Sequence, residues 1–362
     1  MEISVVVLFV VGLGLLVLGA DWLVRGASRV ASAAGVSSLV IGLTVVAFGT
    51  SAPELAVSVQ SSWQGQTDMA VGNVVGSNIF NVLFILGASA MITPLLVAQD
   101  LVRRDVPILC VLSIAVVLLA LDGSLGRIDG IVLFAGLVLY TVWIIRSSRR
   151  ETQAVKEEYE AEFGEAKRPM PLWLAIGFVV AGLGMLVLGS TWLVNGAVAF
   201  ARWVGVSEVV VSLTVVAAGT SLPEVATSLL AAKRGERDIA VGNVVGSNIF
   251  NIMGVLGLSA AVAPSGLTIA PSMLGFDLPV MIAAAFACLP LYAPGHMIPR
   301  WQGFVFFGGY IAYTVYLVLD ATKHTAKSGY AMAMSWGVIP LTVLTLLVIA
   351  VRVRRANRSS AA

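Results

Sequence analysis

The chain has 362 residues, 58% of them hydrophobic and 12% charged, with a formal net charge of +2 and a mean hydropathy of +0.95. Soluble domains carry about 25% charged residues, so a water-soluble enzyme or binding domain is excluded, and no nucleic-acid partner is expected. Two cysteines, Cys110 and Cys288, stand far apart within apolar runs and imply neither a disulfide framework nor a CxxC site.

Apolar runs of about 20 residues can cross ~30 Å of hydrocarbon. They fall near 3–22, 37–62, 69–92, 104–121, 128–146, 172–194, 208–232, 239–263, 273–293 and 302–320, with an eleventh near 335–352. The first run lacks a basic leader region and reads as a helix rather than a cleaved signal. Lys and Arg collect in cytoplasmic loops. With the N-terminus outside and strict alternation, all 22 basic residues fall inside except Arg127, Arg202, Lys323 and Lys327. The chain is therefore expected in the plasma (inner) membrane, with residues 147–171 and the C-terminus cytoplasmic.

The second half repeats the first. AVGNVVGSNIFN occurs at 70–81 and again at 240–251; GLGLLVLGADWLVRGA at 12–27 answers GLGMLVLGSTWLVNGA at 182–197; LTVVAFGTSAPELAVS at 43–58 answers LTVVAAGTSLPEVATS at 213–228. Asp105-Val-Pro answers Asp277-Leu-Pro, and YTV at 140–142 answers YTV at 313–315. A repeat of five helices ends on the side opposite its start, so the copies lie upside down relative to each other, the usual build of secondary transporters. The expected fold is an all-α polytopic membrane protein. Its inverted five-helix repeats cover 1–146 and 172–320 around a charged cytoplasmic linker, 147–171. An external loop, an additional transmembrane helix and a basic cytoplasmic tail follow over 321–362.

GTSAPE (49–54) and GTSLPE (219–224) place Glu54 and Glu224 in the middle of apolar runs. An acidic residue there costs roughly 2.5–3.5 kcal/mol, and no Lys or Arg lies inside either run to offset it. Protons or bound cations must neutralise them. Pro53 and Pro223 have no N–H and free the carbonyls of Gly49 and Gly219; with Thr and Ser hydroxyls these are hard oxygen donors suited to Ca²⁺ or Na⁺. Thr50, Glu54 and Ser58 share a helix face at one-turn spacing, as do Thr220, Glu224 and Ser228. Asn73, Ser77 and Asn81, with Asn243, Ser247 and Asn251, form matching polar stripes on the next helices. Gly72 and Gly76, like Gly242 and Gly246, give small-residue seams. Asn73, Asn78, Asn243 and Asn248 serve either the cage or simple interhelical hydrogen bonds, and Ser58 and Ser228 read mainly as packing residues. Asp105, Asp277, Asp68 and Asp238 read as helix N-caps, and Asp21 as the partner of Arg25 one turn on. His296 and His324 lie in loops and belong to no metal motif.

The paired GTSxPE and GNVVGSNIFN motifs resemble the alpha repeats of the cation/calcium antiporter superfamily, most closely its prokaryotic sodium/calcium exchangers, over residues 1–320. The resemblance implies exchange of Na⁺ for Ca²⁺ by alternating access, commonly three Na⁺ per Ca²⁺, without a cofactor or enzymatic chemistry. It implies Glu54 and Glu224 as shared central ligands, completed by Thr50, Thr220, Ser51, Ser221, Ser77 and Ser247. The carbonyls of Ala47 and Ala217 would serve flanking sodium sites, and Asn81 and Asn251 would stand at the midplane amide or carboxylate positions. Potassium-dependent relatives carry aspartate where this chain has Asn251, so a K⁺ requirement is not expected. The first and sixth helices are implied as the moving pair. A proton/calcium exchanger using the same glutamates is the alternative, disfavoured by the many hydroxyl and amide oxygens. A passive channel is disfavoured because channels build filters from rings of subunits. A membrane-embedded hydrolase finds no nucleophile–base pair.

Overall fold

The computed structural model describes residues 3–150, 171–203, 217–289 and 297–334. Most of the 147–171 linker, His296 and the additional helix expected at 335–352 lie outside the described residues. Helix α1 (Ile3–Ala34) continues well past its apolar run, through Arg25 and Arg29, and ends where Gly35 takes a left-handed φ of +65°. A bent pair follows, α2 (Ser38–Thr50) and α3 (Ala52–Trp63), meeting at 48°. Next come α4 (Thr67–Ile92), α5 (Leu101–Asp122) and α6 (Arg127–Arg150). The second repeat supplies α7 (Leu172–Trp203), a short turn Ala217–Gly219, α8 (Leu222–Arg234), α9 (Arg237–Val262), α10 (Met273–Ala287) and α11 (Arg300–Ala321). Among the described residues seven helices are long and apolar enough to span a membrane, or eight with the bent pair counted as one; α10 is shorter.

Inversion of the repeats is visible in how their connections meet. Strand β1 (Leu95–Leu96), after α4, pairs antiparallel with β4 (Met297–Ile298), before α11. Strand β2 (Ser124–Leu125), after α5, pairs with β3 (Leu267–Thr268), after α9. Each pairing joins the loop after the third helix of one repeat to the loop after the fourth helix of the other. In repeats of like orientation those loops would lie on opposite membrane faces, so only inverted copies can make both ladders. Arg300 seals one ladder by donating to Ile92 O at 3.2 Å, and Arg127 the other by donating to Ala263 O at 3.1 Å.

The matching helices α1 and α7 run antiparallel against each other along glycines. Gly12 faces Gly189, and Gly19 faces Gly182; a Cβ on Gly19 would sit 2.8 Å from Gly182 O, and one on Gly189 2.7 Å from Gly12 O. The backbones touch, which is the close approach small residues permit between membrane helices. The outward face of α1 is apolar and exposed (Val6, Leu13, Val17, Leu18), while α9 is enclosed along its whole apolar stretch. The core of the molecule is thus the polar α9, and the rim is lipid-facing.

Four aspartates depart from the capping role expected of them. Asp68 and Asp238 lie inside the first turn, behind Gln66 and Glu236 at the cap positions, where their charge complements the positive end of the helix dipole. Asp105 and Asp277 have helical backbones and cap no N–H, because widened π-helical turns (Leu101–Asp105 and Met273–Asp277) run into them from the N-terminal side. Their carboxylates instead accept hydrogen bonds from the two YTV tyrosines: Tyr140 Oη donates to Asp105 Oδ1 at 2.9 Å, and Tyr313 Oη to Asp277 Oδ1 at 2.7 Å. Asp21 does pair with Arg25, at 3.0 Å, and also with Arg234 at the end of α8.

The glycine seam generates a test. Gly19→Val or Gly182→Val inserts bulk where backbone already touches backbone, at a cost of about 1–3 kcal/mol for overpacking. The thermal unfolding midpoint in detergent should fall for both. Gly14→Val and Gly184→Val, where a Cβ meets nothing within 4 Å among the described residues, should leave it unchanged.

Candidate functional site: a two-carboxylate oxygen cage

Both GTSxPE segments break their helices at the serine. Ser51 has φ −83° and ψ 9°, Ser221 φ −87° and ψ 8°, and each is followed by proline in the first turn of the next helix. The break turns the serine away from its own glutamate and toward the other repeat. Ser221 Oγ donates to Glu54 Oε1 at 2.8 Å, and Ser51 Oγ donates to Glu224 Oε1 at 2.9 Å. The hydroxyls cross between the halves, so each carboxylate is held by the opposite copy. Ser77 Oγ lies 3.2 Å from Ser221 Oγ and extends the Glu54 side. Both glutamates are 0% exposed.

Behind this layer is a brace of amides. Thr50 Oγ1 donates to Asn243 Oδ1 at 3.1 Å, and Asn243 Nδ2 donates to Ser228 Oγ at 2.9 Å. In the other half Thr220 Oγ1 donates to Asn73 Oδ1 at 3.3 Å, and Asn73 Nδ2 to Ser58 Oγ at 2.9 Å. The stripe expected of Thr50, Glu54 and Ser58 is therefore split: the 48° bend hands Thr50 to the opposite repeat while Ser58 stays with Asn73 of its own. Asn73 and Asn243 resolve as interhelical hydrogen-bonding groups that orient the threonines, and Ser58 and Ser228 are their acceptors rather than packing residues alone. Identity between the two copies marked these residues in the sequence; their partners became visible only with the helix bend.

Asn81 and Asn251 each open a widened π-helical turn, Asn81–Leu86 and Asn251–Leu256, a feature frequent at functional sites. Asn81 Nδ2 donates to Asn248 Oδ1 at 3.0 Å and Asn248 Nδ2 to Asn78 O at 3.3 Å, so the two twelve-mers are bonded to each other. The Ala47 carbonyl accepts from Ser51 N at 3.0 Å and faces Thr50 Oγ1 at 3.4 Å. Ala217 begins the short turn Ala217–Gly219.

A set of buried polar atoms has no hydrogen-bond partner: Glu54 Oε2, Glu224 Oε2, Asn81 Oδ1, Asn251 Oδ1 and Nδ2, and Ser247 Oγ. Among the described residues no ion pair includes either glutamate, and no cluster of three or more His, Cys, Asp or Glu forms. An unpaired buried polar group costs about 1–3 kcal/mol, and more when charged. Five oxygens of this kind, carboxylate, amide and hydroxyl, are the hard donor set that alkali and alkaline-earth cations take.

A carboxylate cage enclosed by two inverted, broken-helix repeats defines a membrane transporter of small cations. The chain belongs to the sodium/calcium exchanger family: the profile of the sodium/calcium exchanger protein family matches residues 4–146 and 174–319. It is 42% identical to the putative antiporter CaxA of Alkalimonas amylolytica, over 77% of this chain and 86% of that one. It is 33% identical to the sodium/calcium exchanger MaX1 of Methanosarcina acetivorans, over 86% and 97%. A solved structure of the sodium-calcium exchanger NCX_Mj, soaked with Na⁺ and Sr²⁺, superposes with a TM-score of 0.75 at 33% identity, covering 87% of this chain and 99% of that one.

The amide brace can be probed directly. Asn243→Ala leaves the Thr50 and Ser228 hydroxyls without their shared partner, which should cost about 1–2 kcal/mol and lower the thermal midpoint. Ser228→Ala, which removes one acceptor only, should lower it less.

Proposed function

We propose that the protein is an antiporter that exchanges Na⁺ for Ca²⁺ at one central site by alternating access. The observation that carries this reading is the pair of buried carboxylates with one oxygen each unpartnered and no basic partner among the described residues, alongside buried amide and hydroxyl oxygens that are also unpartnered. Glu54 and Glu224 would neutralise one Ca²⁺. Thr50, Thr220, Ser51, Ser221, Ser77 and Ser247 would supply oxygens around them, with the Ala47 and Ala217 carbonyls on the flanks and Asn81 and Asn251 at the midplane. Two carboxylates and two amides give the cage a formal charge of −2. One Ca²⁺ cancels this, and several Na⁺ in overlapping positions compete with it. Mg²⁺ is selected against because it dehydrates reluctantly and demands tight octahedral geometry.

The crossed serines support competition between the ions. Each hydroxyl can donate to its carboxylate, as here, or rotate and offer its oxygen to a cation. The site is thus satisfied in both conditions, and exchange does not expose a bare carboxylate.

In this reading the N-terminus is outside, the 147–171 linker is cytoplasmic, and the membrane is the plasma (inner) membrane. The distribution of Arg103, Arg104, Arg146 and Arg300 against Arg127 supports this orientation. With three Na⁺ per Ca²⁺, a tenfold Na⁺ gradient supplies about 4.2 kcal/mol. The single net charge adds about 2.3 kcal/mol per 100 mV. Together these sustain a Ca²⁺ gradient above roughly ten-thousandfold, so the expected direction is calcium efflux. The glycine seam between α1 and α7 supports these two helices as the moving pair.

⁴⁵Ca²⁺ uptake into proteoliposomes with an imposed Na⁺ gradient tests the proposal. Uptake should require Na⁺, ignore K⁺, and vanish in Glu54→Gln and Glu224→Gln while both variants still elute as folded protein. Uptake driven by a pH gradient in the absence of Na⁺ would replace it with proton/calcium exchange.

A further inference from the structure

The two Asp–Tyr pairs occupy equivalent places in the repeats, yet the residue before each aspartate differs: Arg104 in the first and Phe276 in the second. Arg104 holds Asp105 in a fork, Nε to Oδ1 at 3.1 Å and Nη2 to Oδ2 at 3.3 Å, and its guanidinium lies 5.4 Å from the Trp143 ring centre. Asp105 is fully buried there. Phe276 instead stacks on Tyr313 and packs against Tyr316, with ring centres 6.0 and 4.0 Å away. Among the described residues Asp277 has Tyr313 as its hydrogen-bond partner and no basic one.

Asp277 also faces open space. It lines a cavity of about 400 Å³ together with Asn73, Ser77, Thr220, Gly76 and Tyr313. Thr220 bonds Asn73 within this wall, and Ser77 touches the serine that holds Glu54. The cavity therefore runs from Asp277 to the first oxygens of the cage. The equivalent wall of the other repeat is packed shut. A Cβ on Gly246 would meet Leu43 Cα at 2.7 Å and one on Gly242 would meet Leu39 O at 3.0 Å, whereas among the described residues a Cβ on Gly76 meets nothing within 4 Å.

We propose that Asp277 is a cation-recruiting residue: the first carboxylate that a Na⁺ or Ca²⁺ meets in the cleft, passing the ion to Thr220 and Ser77 and so to Glu54. A carboxylate with no basic partner among the described residues, in a cleft with low-dielectric walls, focuses its field into the opening and raises the local cation concentration. The ion keeps part of its water there, since one carboxylate oxygen already accepts from Tyr313. The first repeat has the same acid but cancels it with Arg104, so recruitment is built into one face of the membrane. That face is the external one, an assignment that rests on the antiport reading and its orientation.

The test measures Ca²⁺ half-saturation separately at the external and cytoplasmic faces, in sided vesicles, for Na⁺-dependent ⁴⁵Ca²⁺ exchange. Asp277→Asn should raise the external value roughly thirtyfold, the scale of one unit charge acting on a divalent ion at about 4 Å through water, with the cytoplasmic value and the saturated rate unchanged. The increase should shrink as choline chloride is added. Phe276→Arg, which imports the Arg104 arrangement, should reproduce the shift and serves if Asp277→Asn does not fold. Tyr313→Phe, which keeps the charge and removes the hydrogen bond, should match the wild type. An unchanged external value in both charge variants, an equal shift at the two faces, or a Tyr313→Phe variant that behaves like Asp277→Asn overturns the inference and leaves the antiport reading standing. Absence of Na⁺-dependent flux in the wild type overturns both.

Discussion

Two carboxylates held out of water where the two repeats meet set the terms for everything around them. Each costs several kcal/mol unless hydrogen-bonded and neutralised, and among the described residues no base pairs with either. The helix breaks at Ser51 and Ser221 exist to answer that cost. By interrupting the helix they turn a hydroxyl across the molecular centre, and the inversion of the repeats puts the opposite glutamate within 2.9 Å or less of it. The amides of Asn73 and Asn243 then fix the neighbouring threonines, while Glu54 Oε2 and Glu224 Oε2 are left without a hydrogen-bond partner. The groups proposed to bind the ion are therefore the same ones that join the two repeats.

The pseudo-symmetry is broken where the structure meets the two sides of the membrane. The wall made by Gly242 and Gly246 is closed by α2, while the wall made by Gly72 and Gly76 borders a cavity. Arg104 against Phe276 repeats this inequality in charge. Two ladders, β1 with β4 and β2 with β3, staple the loops of the halves together and hold the cage-bearing helices as one unit. The α1–α7 pair lies outside these ladders and meets backbone to backbone along its glycines.

Much of the architecture was legible in the sequence because membrane helices must satisfy their own backbone, which makes apolar length a reliable guide. The exact repeat of AVGNVVGSNIFN and the glutamates within apolar runs singled out Glu54, Glu224 and Ser77, and the family resemblance added Ser51 and Ser221, whose hydroxyls the structure bonds to the opposite glutamates. The crossing of the serines was not legible, because it depends on a 48° bend that local spacing does not encode. The same bend divided the stripe drawn through Thr50, Glu54 and Ser58. Asp105 and Asp277 looked like caps because each precedes Val-Pro or Leu-Pro at a helix start. Their tyrosine partners stand 35 and 36 residues further along, a distance at which no periodicity speaks. The matched D-x-P and YTV repeats held that information, but only pairwise and only in three dimensions.

The crossed hydroxyls also bear on how the protein comes into being. Ser221 is made 167 residues after Glu54, by which time a ribosome has delivered the whole first repeat to the membrane. Until the second repeat inserts, Glu54 lacks its Ser221 donor and β1 its partner strand. A half-synthesised chain therefore carries one half of each crossed contact, and neither repeat is complete without the other.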